Sequence, residues 1–270
     1  MRYNKNKTRG NNIFKDLDVL ILAGGKGSRM RRIGNYLPKA LLPVYNQPLI
    51  LDQLDSFLKQ SVRRIFISFP EDFCCFLQDR IINQVQTASR ITIIPDAKQE
   101  GPMNALLDIK DTYRLSQFLL ILGDIYCEDK RDYFCGLHTK KIDKTNPVVQ
   151  IQRIISRKKF SGCSVMLDNR RLVKEIHDKP GVDEIKSNFE WTGICYFSAA
   201  TSGYFSSFKN AYDMRKVYIG DIFTFFLKQN LKIQACPCYK KVINLNTPLD
   251  LLNASNIERK LQDSLPIKEA

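Results

Sequence analysis

Asp18–Val44, DVLILAGGKGSRMRRIGNYLPKALLPV, is the stretch whose reading decides the fold. Val19–Leu22 is short, continuous and apolar, the pattern of a strand buried on both faces of a parallel sheet. It runs into a glycine-rich loop, Ala23–Gly27. Gly24, Gly25 and Gly27 can take positive φ and let a ligand approach the backbone closely. Their N–H groups then face that ligand, as in other anion-binding loops. Ser28-Arg29 follow the loop, and Pro38-Lys39 come ten residues later. Arg29 and Lys39 add fixed positive charge, so the ligand this stretch fits is a polyphosphate.

Two common phosphate motifs do not match. Gly25-x-Gly27 is followed by Met30 where a dinucleotide-binding fingerprint needs its third glycine. A P-loop needs Gly-Lys-Ser/Thr as one unit, whereas Lys26 and Ser28 flank Gly27 here.

Outward from this stretch, strands alternate with helices. The periodicity predicts a helix over Pro48–Gln60, a strand at Arg64–Phe69 and a helix over Asp72–Val85 with Phe73, Phe76, Leu77, Ile81 and Val85 on one face. Strands follow at Ile91–Ile94 and Phe118–Leu122, separated by a short helix from Gly101. This order argues a parallel sheet with helices on both faces. The second half is richer in strands: Val148–Ile155, a hairpin of Cys163–Leu167 and Arg171–Ile176 turning at Asp168-Asn169-Arg170, and Phe189–Phe197. A helix over Asp221–Gln229, a strand at Lys232–Cys236 and a closing helix over Pro248–Lys260 complete the reading. We expect one domain over residues 16–270, in two halves that run to about residue 125 and over about 126–250, preceded by a disordered basic tail, residues 1–15.

Composition bounds the function. The chain has 270 residues, is 44% hydrophobic and 26% charged, and carries a net charge of +14 from 42 Lys+Arg against 28 Asp+Glu. That is enough chain for a sizeable core. The positive balance suits nucleic acid, an anionic surface or polyanionic small substrates. No helix-turn-helix, RNA-binding signature or aromatic–basic interleaving supports nucleic acid. No apolar run reaches the length of a membrane span, and the polar, basic first 15 residues lack a secretory apolar region. The eight cysteines sit mostly in apolar stretches, and only two histidines accompany them, so neither a disulfide framework nor structural zinc is expected. A reducing cytoplasm is the simplest compartment.

LAGGKGSRM…LPKALLPV resembles the signature of the sugar-1-phosphate nucleotidyltransferases, a glycine loop ending Gly-Thr/Ser-Arg-Leu/Met and then Pro-Lys. The resemblance keeps its order over about residues 17–260. It implies a Rossmann-like three-layer α/β/α domain with a mostly parallel mixed sheet, of the GT-A-like nucleotidyltransferase kind, without the appended β-helix of longer members. It implies the reaction NTP + sugar 1-phosphate → NDP-sugar + pyrophosphate, with Mg²⁺ as cofactor and a homo-oligomer left open. Leu22, Ala23, Gly24, Gly25, Gly27, Ser28 and Gly101 would bind the nucleotide, and Arg29 and Lys39 would be catalytic. Asp124, directly after the Phe118–Leu122 strand, resembles the family's Gly-Asp metal ligand. In VINLNTPLD, Asn244 stands where the family's second metal-binding aspartate does, and Asn246 where it has glycine. VKEIHDKP resembles the segment ending Glu-Lys-Pro, which makes Asp178 and Lys179 sugar-phosphate contacts, and WTGICYF resembles a substrate strand that adds Thr192 and Gly193. Two alternatives stay open. A cytidylyltransferase for phosphocholine or another small phosphate would use Trp191 and Tyr196 as an aromatic cage. A non-catalytic regulatory homologue would bind the nucleotide sugar alone.

Overall fold

The structure, a computed structural model, describes residues 13–25, 30, 32–84, 88–97, 100–139, 141–156, 160, 162–214 and 217–263. In chain order the strands are β1 (Asp18–Leu22), β2 (Pro43–Val44), β3 (Gln47–Pro48), β4 (Arg64–Phe69), β5 (Ile91–Pro95), β6 (Phe118–Leu122) and β7 (Ile125–Cys127). The second half adds β8 (Val148–Arg153), β9 (Cys163–Leu167), β10 (Val173–Asp178), β11 (Phe189–Phe197), β12 (Gln234–Pro237) and β13 (Val242–Asn244). The helices are α1 (Leu49–Lys59), α2 (Cys74–Gln84), α3 (Pro102–Thr112), α4 (Ser202–Ala211), α5 (Ile219–Lys228) and α6 (Pro248–Asp263).

One sheet runs β10-β9-β11-β6-β1-β4-β5, with β8 paired to β11 and β12. β1 lies between β4 and β6, parallel to both, with Leu20 opposite Phe66 on one side and Leu120 on the other. β11 closes onto β6 antiparallel, Cys195 facing Leu120. The strand pleat explains the two cores. Val19, Ile21, Ile65, Ile67, Leu119 and Ile121 face α1 and α2, where Ile50, Leu54, Phe57, Leu77 and Ile81 cover them. Leu20, Leu22, Phe66, Phe118 and Leu120 face the other way, beneath α3, α4 and α5. Phe197, Phe205, Phe223 and Phe226 lock that second layer, with ring centroids 5.1–6.4 Å apart. Each such side chain contributes about 1.5–3 kcal/mol by leaving water. The expected three layers and mostly parallel sheet are therefore present.

Several expectations need correction. Phe76 is exposed, so α2 presents Leu77 and Ile81 to the sheet without it. Ile13–Asp16 form a 3-10 turn, and Phe14 is buried with its ring 5.0 Å from Phe134, so the end of the supposed tail is part of the core. Residues 1–12 and Val85 lie outside the described residues. The aromatic stretch Ser202–Ala211, to which the sequence reading assigns no element, is helix α4, whose Phe205 and Phe208 are wholly buried.

Candidate active site

Parallel strands present ligands at their carboxyl ends. At that edge β1, β4, β5 and β6 surround a cavity of about 330 Å³. The chain ends are drawn tightly together. Ala23 donates its N–H to Ser68 O at 2.9 Å, and Gly123 donates to Leu22 O at 2.8 Å. Gly123 has to be glycine, because a Cβ there would stand 2.4 Å from Ala23 Cβ. Leu22, Ala23, Gly24 and Gly25 all line the cavity, with Gly101 across from them. Gly101 has φ +100° and caps α3, whose positive end lies beside the cavity. Gly27, Ser28 and Arg29 lie outside the described residues.

Lys39 and Asp124 line the same cavity. Lys39 Nζ donates to Asp124 Oδ2 at 2.9 Å and to Asn246 Oδ1 at 3.0 Å. These side chains are only 14% and 22% exposed for Lys39 and Asp124, so the pair is partly shielded and its attraction is not quenched by water. Asn246 was not anticipated as a contact, since the motif comparison put it at a glycine position. It is held from behind: its N–H donates to Asp250 Oδ2, which also accepts from the Thr247 N–H and hydroxyl to cap α6. Asn244 is exposed on β13, opposite Ile125 of β7, and strand alternation turns it away from the face on which Ile243 and Leu245 are buried.

The ammonium of Lys39 shows what the place between Asp124 and Asn246 accepts: a cation, held by one carboxylate oxygen and one amide oxygen. Such hard oxygen donors suit Mg²⁺. Among the described residues no group of three His, Cys, Asp or Glu forms a ready metal cage. A metal here would therefore draw most of its oxygens from phosphates and water.

The second half behaves differently. Asp178 ends β10 and Lys179 follows it, and neither lines the cavity. Asp178 is half-buried against Gly220, and burial raises its pKa, with Lys179 opposing and Asp221 adding to the rise. Lys179 has φ +46° and sets its ammonium 3.8 Å from the centre of the Tyr218 ring. Thr192 is buried and donates its hydroxyl to Gln150 Oε1 at 2.9 Å. Gly193, φ +94°, sits at the irregularity where β11 exchanges β9 for β6 along one edge while keeping β8 along the other, and a Cβ would meet Ile125 Cδ1 at 2.9 Å. Its glycine is demanded by packing.

Two polar lining residues were missed as site residues, Ser68 and Asp96. Both follow the rule that singled out Asp124, for Ser68 lies near the carboxyl end of β4 and Asp96 directly follows β5. The signal was present in Phe69-Pro70 and Pro95-Asp96, which close apolar runs.

This chain belongs to the nucleotidyl transferase family, whose model matches residues 18–238. The bifunctional protein GlmU of Methanococcus maripaludis is 28% identical over 178 residues, a match that covers 66% of this chain and 39% of that protein. The match thus spans about two fifths of the length of such relatives. Among solved structures, a UDP-glucose pyrophosphorylase superposes with TM-score 0.74 at 18% identity, covering 92% of this chain and 99% of that one. An inositol-1-phosphate CTP transferase from T. maritima gives 0.73 at 14% identity, covering 93% and 98%. These two share the fold, and the nucleotides in their names differ.

Proposed function

We propose that the chain joins an NTP and a sugar 1-phosphate to give an NDP-sugar and pyrophosphate. The observation that carries this reading is the Lys39 bridge between Asp124 and Asn246 at the mouth of a glycine-lined cavity. An oxygen of the sugar phosphate attacks the α-phosphorus, the bond from that phosphorus to the β-phosphate oxygen breaks, and its electrons leave with pyrophosphate. No covalent nucleophile is needed, so catalysis is positioning and charge neutralisation. The Ala23–Ser28 backbone and Arg29 would hold the departing β- and γ-phosphates. Lys39, drawn from Asp124 toward the α-phosphate, would neutralise charge as it develops there. Lys179 would dock the acceptor phosphate and Asp178 the sugar hydroxyls. Asp124, with an amide oxygen of the Asn244–Asn246 turn, would hold Mg²⁺, which when bound supplies positive charge to the reacting phosphates. Free cysteines at all eight positions accord with a reducing compartment such as the cytoplasm.

The choline reading loses its cage. Trp191 donates its indole N–H to Ile194 O at 2.8 Å and packs edge-on against Phe223. Tyr196 is buried, with its hydroxyl shared between Gln117 and Lys144. Both rings belong to the core.

Labelled pyrophosphate, incubated with a panel of NDP-sugars, tests the transfer reading in reverse. Label should enter an NTP. A panel that binds but yields no labelled NTP would point to the regulatory homologue instead.

A further inference from the structure

Asp124 sits in the Gly123-Asp124 turn that joins β6 to β7, and three elements hold that turn. From β1, Leu22 O accepts the Gly123 N–H at 2.8 Å, and beyond β13 the Leu245 N–H donates to Asp124 O at 2.8 Å. The third hold comes from α1. Gln53 donates its side-chain amide to Ile125 O at 2.8 Å and to Leu122 O at 3.4 Å. One nitrogen thus spans the turn, gripping the carbonyl just before Gly123 and the carbonyl just after Asp124. The sheet leaves room for this: the β6–β11 ladder ends at Ile121, opposite Ile194, one residue short of Leu122. The surroundings also fix which way the amide lies. Turned over, it would set Oε1 against two carbonyl oxygens.

Gln53 is wholly buried, as are Ile50, Leu54 and Phe57 of the same helix. Among the described residues no donor reaches its Oε1. A buried acceptor without a donor has given up its water for nothing, and that loss offsets what the two N–H contacts contribute. The amide is therefore a poor device for stability. What it does supply is a fixed distance between α1 and the turn that carries Asp124. The Asp124 carboxylate meets Lys39 Nζ at 2.9 Å, and a shift of about 1 Å in a reacting group can cost roughly 100-fold in rate. Gln53 does not itself line the cavity. Resting on the reading of the site given above, we infer that Gln53 is a positioning residue, which holds the Gly123-Asp124 turn so that Asp124 presents its carboxylate to Lys39 and to the Mg²⁺ of the nucleotide.

Titration calorimetry of the full chain with a panel of NTPs, run in Mg²⁺ and again in EDTA, tests this. The ratio of the two affinities reads how much the protein helps the nucleotide hold its metal. Groups that orient metal ligands are worth about 10–100-fold in metal affinity. Gln53 acts through backbone, so the low end is expected: Gln53→Met, which keeps the length and loses the donors, should shrink the Mg²⁺ gain by about tenfold. Affinity in EDTA should stay within about twofold, because the glycine loop follows β1 and not β6. A residue serving the fold alone would weaken both modes together. Gln53→Asn keeps an amide but ends one carbon short of the carbonyls. It should show the same loss, and it carries the test if Gln53→Met does not fold. In an Asp124→Asn background, Gln53→Met should take nothing further from the Mg²⁺ gain, since the two residues act as one unit. An undiminished Mg²⁺ gain in both variants, equal losses in Mg²⁺ and EDTA, or a further loss of about tenfold on top of Asp124→Asn would overturn the assignment. Failure of the inference is distinct from failure of the site reading. NTP binding that Mg²⁺ does not strengthen in the unaltered chain sinks Asp124 as the metal holder, and the inference with it. A Mg²⁺ gain that survives both Gln53 variants sinks the inference alone.

Discussion

Lys39 and Lys130 each hold two oxygen acceptors at once, yet their surroundings differ. Lys130 donates to Asp52 Oδ2 at 2.8 Å and Glu258 Oε2 at 3.2 Å. Tyr133 donates to the same Asp52 oxygen and Tyr126 to the same Glu258 oxygen, and Gln262 Nε2 donates to the other oxygen of Glu258. Every arm of that cluster is occupied, and it ties α6 to α1 and β7. Lys39 has one carboxylate and one neutral amide, and Lys39 and Asp124 line the cavity. A saturated network holds a fold together. A lysine with few partners beside an open cleft can exchange one of them for a substrate phosphate at small cost. The same residue type thus serves structure in one place and chemistry in the other.

Lys39→Ala should break the comparison most sharply. If the ammonium stabilises charge that develops in the transition state, kcat falls by roughly 10²–10³, about 2.7–4 kcal/mol, while the melting temperature hardly moves. A variant with unaltered kcat would make Lys39 a second structural lysine. Lys130→Met should do the opposite. It strands two buried carboxylates, and burial already raises the pKa of Asp52. The loss should be about 2–3 kcal/mol of stability, below the range for a fully buried pair because Lys130 is 35% exposed. Chemical denaturation of that variant, with kcat measured below its midpoint, checks that the turnover of the folded fraction is retained. Asn246→Ala removes one of the two acceptors that aim Lys39. We expect about a tenfold drop in kcat with substrate affinity little changed, and recovery in Asn246→Asp, whose oxygen keeps the same reach.

The smallest effect concerns a third carboxylate. Asp18 is wholly buried at the start of β1. Burial alone would raise its pKa, but the guanidiniums of Arg63 and Arg64 outweigh it and hold the carboxyl below its ordinary 3.8. A lowered folded-state pKa contributes stability that is present above pH 3.8 and lost as pH falls through the folded value. Asp18→Asn should therefore flatten the decline of melting temperature below pH 4 and leave turnover at neutral pH unchanged. An equally steep acid limb in the variant would assign that limb to other carboxylates.

How far the sequence could be read follows the same division. β1, its glycine loop and Lys39 lie within 27 residues, and strand, turn and charge announce themselves by local pattern. Asp124 was legible because it directly follows a five-residue apolar run. Asp96 obeys the same rule, yet its strand β5 is only half-buried, so the end of that strand drew less notice. Asn246 reaches Lys39 across 207 residues, a distance no periodicity spans. Gly193 and Thr192 look like ligand-facing residues in sequence, whereas the structure shows what each does for the sheet: one lets β11 approach β7, the other satisfies Gln150. Helix α4 escaped because Gly203 and four Ser/Thr residues surround Phe205 and Phe208, which weakens the helical pattern until packing supplies the reason.

Pyrophosphate release under single omission tests transfer most directly. Purified protein is given a panel of NTPs, Mg²⁺ and a panel of sugar 1-phosphates, and each component is left out in turn. The account requires release only when all three are present, matched one for one by NDP-sugar. Release without any sugar phosphate would describe a hydrolase, and no release across the panel beside tight NDP-sugar binding would describe a binding protein. Either result contradicts nucleotidyl transfer at the Lys39–Asp124 site.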